Sequence, residues 1–241
     1  MTESLTQDVR LTSLQQLVQD EAWHEALRLA DTLLQDAALA APTHALLAVV
    51  HSKQGRRDEA MKHCHQALAL HPEDALALFN LGTLLAQQGK PAEAVTYFEQ
   101  AVTHAATWAA AHYNLGTVLL RLERYREAID AFEQAITHCR EYPEAHFSCG
   151  NVRALAALKS DGTLDYYEFD RAVTAYKAAI QQRPDYTAAL YNLGMLYKRR
   201  NSAEGLRVWD QYLEVSQGLT DETVWRLRAA EYKRDLQEHV R

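Results

Sequence analysis

The stretch FNLGTLLAQQGKPAEAVTYFEQAVTH, residues 79–104, is followed by a second stretch of nearly the same pattern, YNLGTVLLRLERYREAIDAFEQAITH, residues 113–138. The two stretches are offset by 34 residues, so that Gly82 corresponds to Gly116. A fixed period of this length indicates an array of repeated supersecondary units. Within each unit, two segments of roughly a dozen residues show the 3.6-residue apolar period of an amphipathic helix. The repeated unit is therefore predicted to be a pair of helices.

The same frame extends in both directions along the chain. Its fifth copy is interrupted, because Ala172, Tyr176 and Ala179 lie ten residues beyond register. The predicted repeats are residues 7–40, 41–74, 75–108, 109–142, 143–186 with the ten-residue insert, and 187–219. No such unit buries its apolar face alone, so we expect the units to stack into a single solenoid over residues 1–241.

Residue sizes within the repeat indicate how its two helices meet. Alanine and glycine recur where the helices must approach closely, and Phe98, Phe132 and Tyr176 are the large side chains that fill the facing gaps. Gly55 and Gly89 follow the first helices of two repeats, where glycine ends a helix with positive φ. Residues 220–241 are predicted to form a capping helix, with an apolar stripe at Trp225, Ala229, Tyr232 and Leu236.

This pattern resembles the tetratricopeptide repeat family over about residues 7–219. The residues that carry the resemblance are Leu78, Leu81, Gly82, Leu85, Ala94, Phe98 and Ala101, and in the next copy His112, Leu115, Gly116, Leu119, Ala128, Phe132 and Ala135. The resemblance implies an all-α fold, a right-handed superhelical solenoid of stacked helix-turn-helix repeats. It also implies that the first helix of each pair lines a concave groove.

Composition excludes several classes of protein. The chain has 241 residues, a formal net charge of −7 and 48% hydrophobic residues. An acidic chain lacks the basic stripe of a nucleic-acid binder, so no nucleic-acid partner is expected. Its longest apolar run, near residues 45–50, is too short for membrane insertion. Three sparse cysteines and an N-terminus without a signal-peptide pattern favour a reducing, cytoplasmic location.

The resemblance assigns particular repeat positions to the groove. The aromatic row is Phe79, Tyr113, Phe147 and Tyr191, and the polar row is Asn80, Asn114, Ser148 and Asn192. The row one helical turn further on is Thr83, Thr117, Asn151 and Met195. The basic rim is Lys53, Arg121, Lys198 and Arg199. An asparagine amide offers a donor and an acceptor together, which suits the backbone of an extended peptide. The same Tyr-Asn pair before Leu-Gly is also the family's commonest framework choice, so a packing role stays open.

From these rows we select the candidate residues for binding a peptide or partner protein. They are Phe79, Asn80, Thr83, Tyr113, Asn114, Thr117, Arg121, Phe147, Asn192 and Lys198. The leading hypothesis is a protein–protein interaction scaffold. One alternative is a homo-oligomeric scaffold that associates through convex faces or array ends. Another is an accessory subunit of an enzyme such as a glycosyltransferase, as in some relatives.

No catalytic motif is found. The sequence contains no G-x-G-x-x-G, P-loop, C-x-x-C, H-E-x-x-H or G-x-S-x-G pattern. The chain is therefore predicted not to be an enzyme and to need no cofactor.

The insert partly matches a calcium-binding EF-hand loop. Asp161, Gly162, Asp165 and Glu168 fit, but Lys159 occupies a leading ligand position, as does an alanine two residues earlier, so calcium binding is not expected. We predict instead a turn at Asp161-Gly162, with Asp165 as the N-cap of the following helix and Glu168 as its partner. The exposed side chains expected there, Tyr166, Tyr167 and Phe169, suggest a second docking surface.

Eleven histidines raise the question of a metal site. His63 and His65 flank Cys64, and residues two apart on a helix point in different directions. His44, His112 and His146 recur at one repeat position and are at least one repeat apart, too far to share one small ion. These histidines are predicted to be packing residues, and no metal site is expected.

Overall fold

The computed structural model describes residues 8–158 and 163–239. These residues form thirteen α-helices and one short 3-10 helix, and their only extended pairing is an isolated bridge between Leu158 and Leu164. The predicted all-α fold is confirmed. No helix in the described part of the chain is both long enough and apolar enough to cross a bilayer.

The chain divides into two compact units, Met1–Leu122 and Glu123–Arg241. The first unit contains α1 (Val9–Gln19), α2 (Trp23–Leu33), α3 (Ala37–Lys53), α4 (Arg57–Leu70), α5 (Ala75–Gln87), α6 (Pro91–His104) and α7 (Ala109–Arg121). The second contains α8 (Tyr125–His138), α9 (Pro143–Ala157), α10 (Tyr166–Gln182), α11 (Thr187–Arg199), α12 (Glu204–Val215), the 3-10 turn Thr220–Glu222 and α13 (Thr223–His239).

Each unit is a stack of helical hairpins. In the first unit, α3 packs against α4 and α5 against α6, and the first helices α1, α3, α5 and α7 also contact one another in sequence. In the second unit, α9 packs against α10 and α11 against α12, while α9, α11 and α13 form the corresponding row. The first helices of neighbouring repeats therefore lie side by side, as the repeat pattern predicts.

In the hairpins α5/α6, α9/α10 and α11/α12, an aromatic ring of the second helix lies directly on a glycine of the first. A Cβ atom added to Gly82 would lie 3.1 Å from the ring of Phe98. The corresponding distance from Gly194 to the indole of Trp209 is 2.7 Å, shorter than real Cβ contacts. Both rings are fully buried. Any larger residue at these glycines would push the two helices apart.

The turn between the two helices of a repeat requires a left-handed residue. Gly55 and Gly89 adopt φ of 76° and 80°, which confirms the predicted helix ends. Later repeats place Glu123 (φ 59°) and Asn201 (φ 49°) in the same turn. The turn geometry is thus kept where the sequence lacks glycine, although only glycine adopts it without a steric cost.

The insert delays α10 and ties it to a buried charge. Asp165 caps α10, accepting hydrogen bonds from the backbone of Tyr167 (3.0 Å) and Glu168 (3.3 Å), as predicted. Glu168 does not complete the cap; its carboxylate accepts a bond from Arg153 at 2.5 Å. Arg153 is only 3% exposed and also pairs with Glu133. Burial of this guanidinium needs both carboxylates, since an unpaired buried charge is strongly destabilising.

The expected exposure of the insert is only partly correct. Tyr166 and Tyr167 are exposed, but Phe169 is fully buried. It lies three residues before Ala172 and seven before Tyr176, so the helical period places it on the core face of α10. The predicted Asp161-Gly162 turn and Lys159 lie outside the described residues.

The last helix covers the end of the second unit. Ala229 and Leu236 of α13 are buried with Trp209, and Tyr232 packs against the same indole. Trp225 remains 44% exposed, although it was expected in the apolar stripe. The α-helix begins at Thr223, three residues after the predicted start, and residues 240–241 lie outside the description.

Replacing the helix-contact glycines by alanine should destabilise the fold in proportion to the crowding. Gly194→Ala is expected to cost about 1–3 kcal/mol, with a smaller loss for Gly82→Ala because its added Cβ lies farther from the ring. Urea unfolding monitored by circular dichroism measures both. If Gly194→Ala matches or exceeds the wild-type stability, the close approach is not a constraint. A Gly194→Ala/Trp209→Leu double variant is the control, since a smaller partner removes the clash.

Candidate functional site

The predicted aromatic row packs against other rings and is only half exposed. Phe79 meets the edge of Phe98, with ring centroids 5.7 Å apart, and tilts against Trp108 at 4.5 Å. Phe147 is 6.0 Å from Tyr176 and 4.9 Å from Tyr186. These rings therefore form the floor of the first-helix face and also join it to the second helix.

Sequence reasoning missed Trp108 and Tyr186 as partners of these rings. Trp108 and Tyr186 lie just before α7 and α11 and contact Phe79 and Phe147. Trp225 of α13 makes the corresponding contact with Tyr191, with ring centroids 5.2 Å apart. The signal was present in the sequence, because an aromatic residue ends repeats 75–108, 109–142 and 143–186.

A cleft of 190 Å³ lies on the first-helix face of the first unit. It is lined by Thr83, Ala86, Gln87, Phe98, Asn114, Thr117, Val118 and Arg121. Four predicted candidates meet in this cleft, which are Thr83, Asn114, Thr117 and Arg121.

Most polar groups around this cleft already have partners in their own unit. The hydroxyls of Thr83 and Thr117 donate to the carbonyls one turn earlier on their helices. Arg121 donates to the carbonyl oxygen of Ala86 at 2.9 Å, and Asn80 reaches that of Ala45 at 3.5 Å. Among the described residues, the amide of Asn114 makes no hydrogen bond, so it is available to a ligand.

A larger cleft of 330 Å³ lies between α9 and α11 in the second unit. It is lined by Asn151, Ala154, Leu155, Leu158, Tyr176, Asn192, Met195, Leu196 and Arg199. The sequence placed Asn151, Asn192, Met195 and Arg199 on the groove face, but only Asn192 was selected as a candidate. Leu155 occupies the same repeat position as Arg121, 34 residues earlier, but it was missed because only basic residues were chosen for the rim. Leu158 lies three residues beyond that position.

A hydrogen-bonded cluster forms the polar part of this cleft. The Oδ1 atom of Asn151 accepts bonds from the Tyr176 hydroxyl at 2.7 Å and from the Asn192 amide at 2.8 Å. Burial raises the pKa of the Tyr176 hydroxyl, which keeps it protonated as a donor. Two bonds fill the lone pairs of that oxygen. The amide nitrogen of Asn151 and the oxygen of Asn192 have no hydrogen-bond partner within the described residues.

Three consecutive cations follow on α11 and its end, and they differ in their contacts. Lys198 is 3.4 Å from the carboxylate of Asp235 and lies over the ring of Tyr232. Arg200 pairs with Asp170 at 3.1 Å. Arg199 is exposed, lines the cleft and has no ion-pair partner in the described residues.

The structure thus distributes the ten candidates over three settings. Thr83, Asn114, Thr117 and Arg121 line the smaller cleft, and Asn192 lines the larger one. Lys198 contacts the last helix. The others, Phe79, Asn80, Tyr113 and Phe147, are half-buried side chains of the first helices. Their roles in binding remain predictions.

The histidines make contacts that the sequence did not reveal. The Nδ1 atoms of His44 and His63 are 3.0 Å apart, so one ring donates a hydrogen bond to the other. His51 stacks on His63, with centroids 5.1 Å apart and planes within 2°. Burial lowers the pKa of all three rings, and that of His63 to about 4, with further lowering from His44 and His51. The three rings form a neutral packing cluster between α3 and α4.

Other histidines and cysteines have similarly structural contacts. The Nε2 atoms of His112 and His146 contact the carbonyl oxygens of Ala106 and Arg140, each six residues earlier. Burial raises the pKa of the Cys64 thiol to about 12, so it stays uncharged. Across residues 8–158 and 163–239, no three histidine, cysteine or acidic side chains are arranged to hold a metal ion.

Family models match three parts of the chain. Models described as tetratricopeptide repeat match residues 38–106 and 109–142, and one described as TPR repeat matches residues 168–200. Together these ranges cover more than half of the chain. None of the curated proteins matches it.

Solved structures share the fold at low sequence identity. PilF from Pseudomonas aeruginosa has a TM-score of 0.74 at 20% identity, covering 92% of this chain and 96% of that protein. YrrB, described as a TPR protein with an unusual peptide-binding site, has a TM-score of 0.65 at 23% identity. The match covers 78% of this chain and 91% of that protein. MamA has a TM-score of 0.63 at 24% identity, and the match covers 70% of this chain and 94% of that protein.

The histidine cluster should make stability depend on pH. Unfolded histidine titrates near a pKa of about 6.5, above the folded value of His63. The unfolded chain therefore binds more protons, and stability present above about pH 6.5 is lost as the pH falls toward about 4. We expect the urea midpoint to fall over this range, and to fall less in His63→Gln. His65→Gln, at an exposed position on the same helix, is the control. Equal falls in all three proteins would rule out the cluster as a cause.

Proposed function

Since the chain belongs to the tetratricopeptide repeat family, we propose that it is an interaction scaffold whose first helices bind an extended or helical segment of a partner protein. One observation supports this role most directly. In each unit, a cleft opens between neighbouring first helices and contains asparagine amide atoms that have no hydrogen-bond partner among the described residues. An unpaired donor or acceptor in a cleft favours a ligand that supplies the missing hydrogen bond.

The two clefts suit short segments of a partner better than a small metabolite. Their volumes of 330 and 190 Å³ lie at or below the lower end of ordinary ligand pockets, which span roughly 300–1,000 Å³. Each cleft combines aliphatic walls with a few polar groups. Side chains of a peptide would fill them while its backbone bonds to the asparagines.

The fold shared with YrrB also supports an interaction role. That protein is described as having an unusual peptide-binding site, and at 23% identity the likeness concerns the fold. The present proposal therefore depends on this chain's own clefts. The chain is proposed to act by binding, without catalysis of its own.

Self-association is a second candidate role, and one surface favours it. On α13, Val224, Trp225 and Leu227 expose 59%, 44% and 70% of their area. Three large apolar side chains close together on an end helix form a candidate contact for a second copy. Light scattering at several concentrations tests this role, and a monomer at every concentration would exclude it.

Removing two asparagine amides from the first unit tests the interaction role. Asn80→Ala combined with Asn114→Ala should weaken capture of the native partner about tenfold, the effect of losing one or two net hydrogen bonds. The urea midpoint should change little, because both side chains are half exposed. Pull-down of the partner, followed by titration with the purified partner, measures the change.

A matched control removes the same chemistry from another face. Gln100→Ala combined with Gln134→Ala deletes two exposed amides at equivalent positions of second helices. Partner binding should be unaffected. If the glutamine variant loses binding and the asparagine variant retains it, the first-helix assignment is wrong.

A further inference from the structure

If the first helices bind a partner, as proposed above, the cleft between α9 and α11 also determines which partner segment fits. Two aliphatic side chains in its walls are about half exposed to solvent. Leu155 and Leu158 are 53% and 47% exposed, while the adjacent Leu196 is nearly buried. Together with Met195 they form an apolar lining that an aliphatic side chain of a ligand would remove from water.

The polar end of the same cleft is arranged for a peptide backbone. Asn151 and Asn192 hold each other in place through one hydrogen bond, and Tyr176 fixes Asn151 through another. The remaining amide nitrogen of Asn151 is a donor and the remaining oxygen of Asn192 is an acceptor. A fixed donor and a fixed acceptor in one cleft complement the carbonyl and N–H groups of an extended chain.

Charge then selects among such peptides. Arg199 lines the cleft without an acidic partner among the described residues, whereas its neighbours Lys198 and Arg200 are paired with Asp235 and Asp170. A free guanidinium beside an apolar lining complements a carboxylate adjacent to an aliphatic group, through a charge-assisted hydrogen bond. A basic peptide would be repelled.

We propose that the α9/α11 cleft binds an extended protein segment in which an aliphatic residue is followed closely by aspartate or glutamate. The cleft in the first unit has no leucine in its lining, and its Arg121 donates a hydrogen bond to the Ala86 carbonyl. The exposed leucines are therefore what distinguish the cleft of the second unit.

The test uses the full chain and a phage-displayed library of short random peptides. Panning should enrich peptides with Leu, Ile, Met or Val within a few positions of Asp or Glu. A synthetic copy of the enriched peptide should bind Arg199→Gln about tenfold more weakly, the value of one hydrogen bond to a charged group. Leu155→Asp should lose binding further, because it puts a second carboxylate beside the ligand's own.

Matched variants separate this site from general effects of charge and folding. Arg200→Gln removes the neighbouring charge outside the cleft lining, and Leu70→Asp changes an equally exposed leucine, 57% exposed, in the other unit. Both should bind the synthetic peptide like the wild type. Circular dichroism melts of every variant show whether a loss of binding is a loss of fold.

Several results would overturn the proposal. Enrichment of basic or purely apolar peptides, equal weakening by Arg200→Gln, or no enrichment at all would each contradict it. Enriched peptides that depend on Asn80 and Asn114 but not on Arg199 would contradict this selectivity while supporting the interaction role. Failure of the native partner to depend on any first-helix residue would instead contradict the interaction role itself.

Discussion

The contact between a glycine of the first helix and an aromatic ring of the second is the constraint on which the repeats depend. At Gly194 there is no room for even one added carbon against Trp209, so the helices are held as near as backbone and ring allow. Interiors packed at this density transmit any change of side-chain volume into helix position. In the hairpins that contain it, at Gly82, Gly150 and Gly194, this contact determines the placement of the first helix and of the face it presents.

This arrangement assigns different tasks to the two helices of a repeat. The second helix supplies the large buried rings, such as Phe98 and Tyr176, and so stabilises the hairpin. The first helix contributes small residues to that contact, which leaves its other face for the asparagines and threonines. In the second unit, Tyr176 joins the two tasks, because its ring packs on Gly150 while its hydroxyl fixes Asn151 in the cleft.

The sequence predicted features that repeat, and it failed where contacts depend on three-dimensional neighbours. Periodicity identified the helical pairs and the Gly–aromatic contact, since these recur at a constant spacing. It did not reveal that His63 lies between His44 and His51, because the contact crosses two helices and occurs once. The leucines that line the cleft beside the insert were also missed, since the exposure of Leu158 depends on how α9 ends. The predicted exposure of Phe169 was wrong, because the whole insert was assumed to be exposed.

Hydrogen–deuterium exchange of the full chain, with and without its purified native partner, tests the central claim most directly. If the first helices are the working surface, bound partner should slow exchange in α9 and α11, and in α5 and α7 where it reaches them. The second helices α6, α10 and α12 should be little changed. Slowing confined to those second helices or to α13, with none in the first helices, would contradict the account.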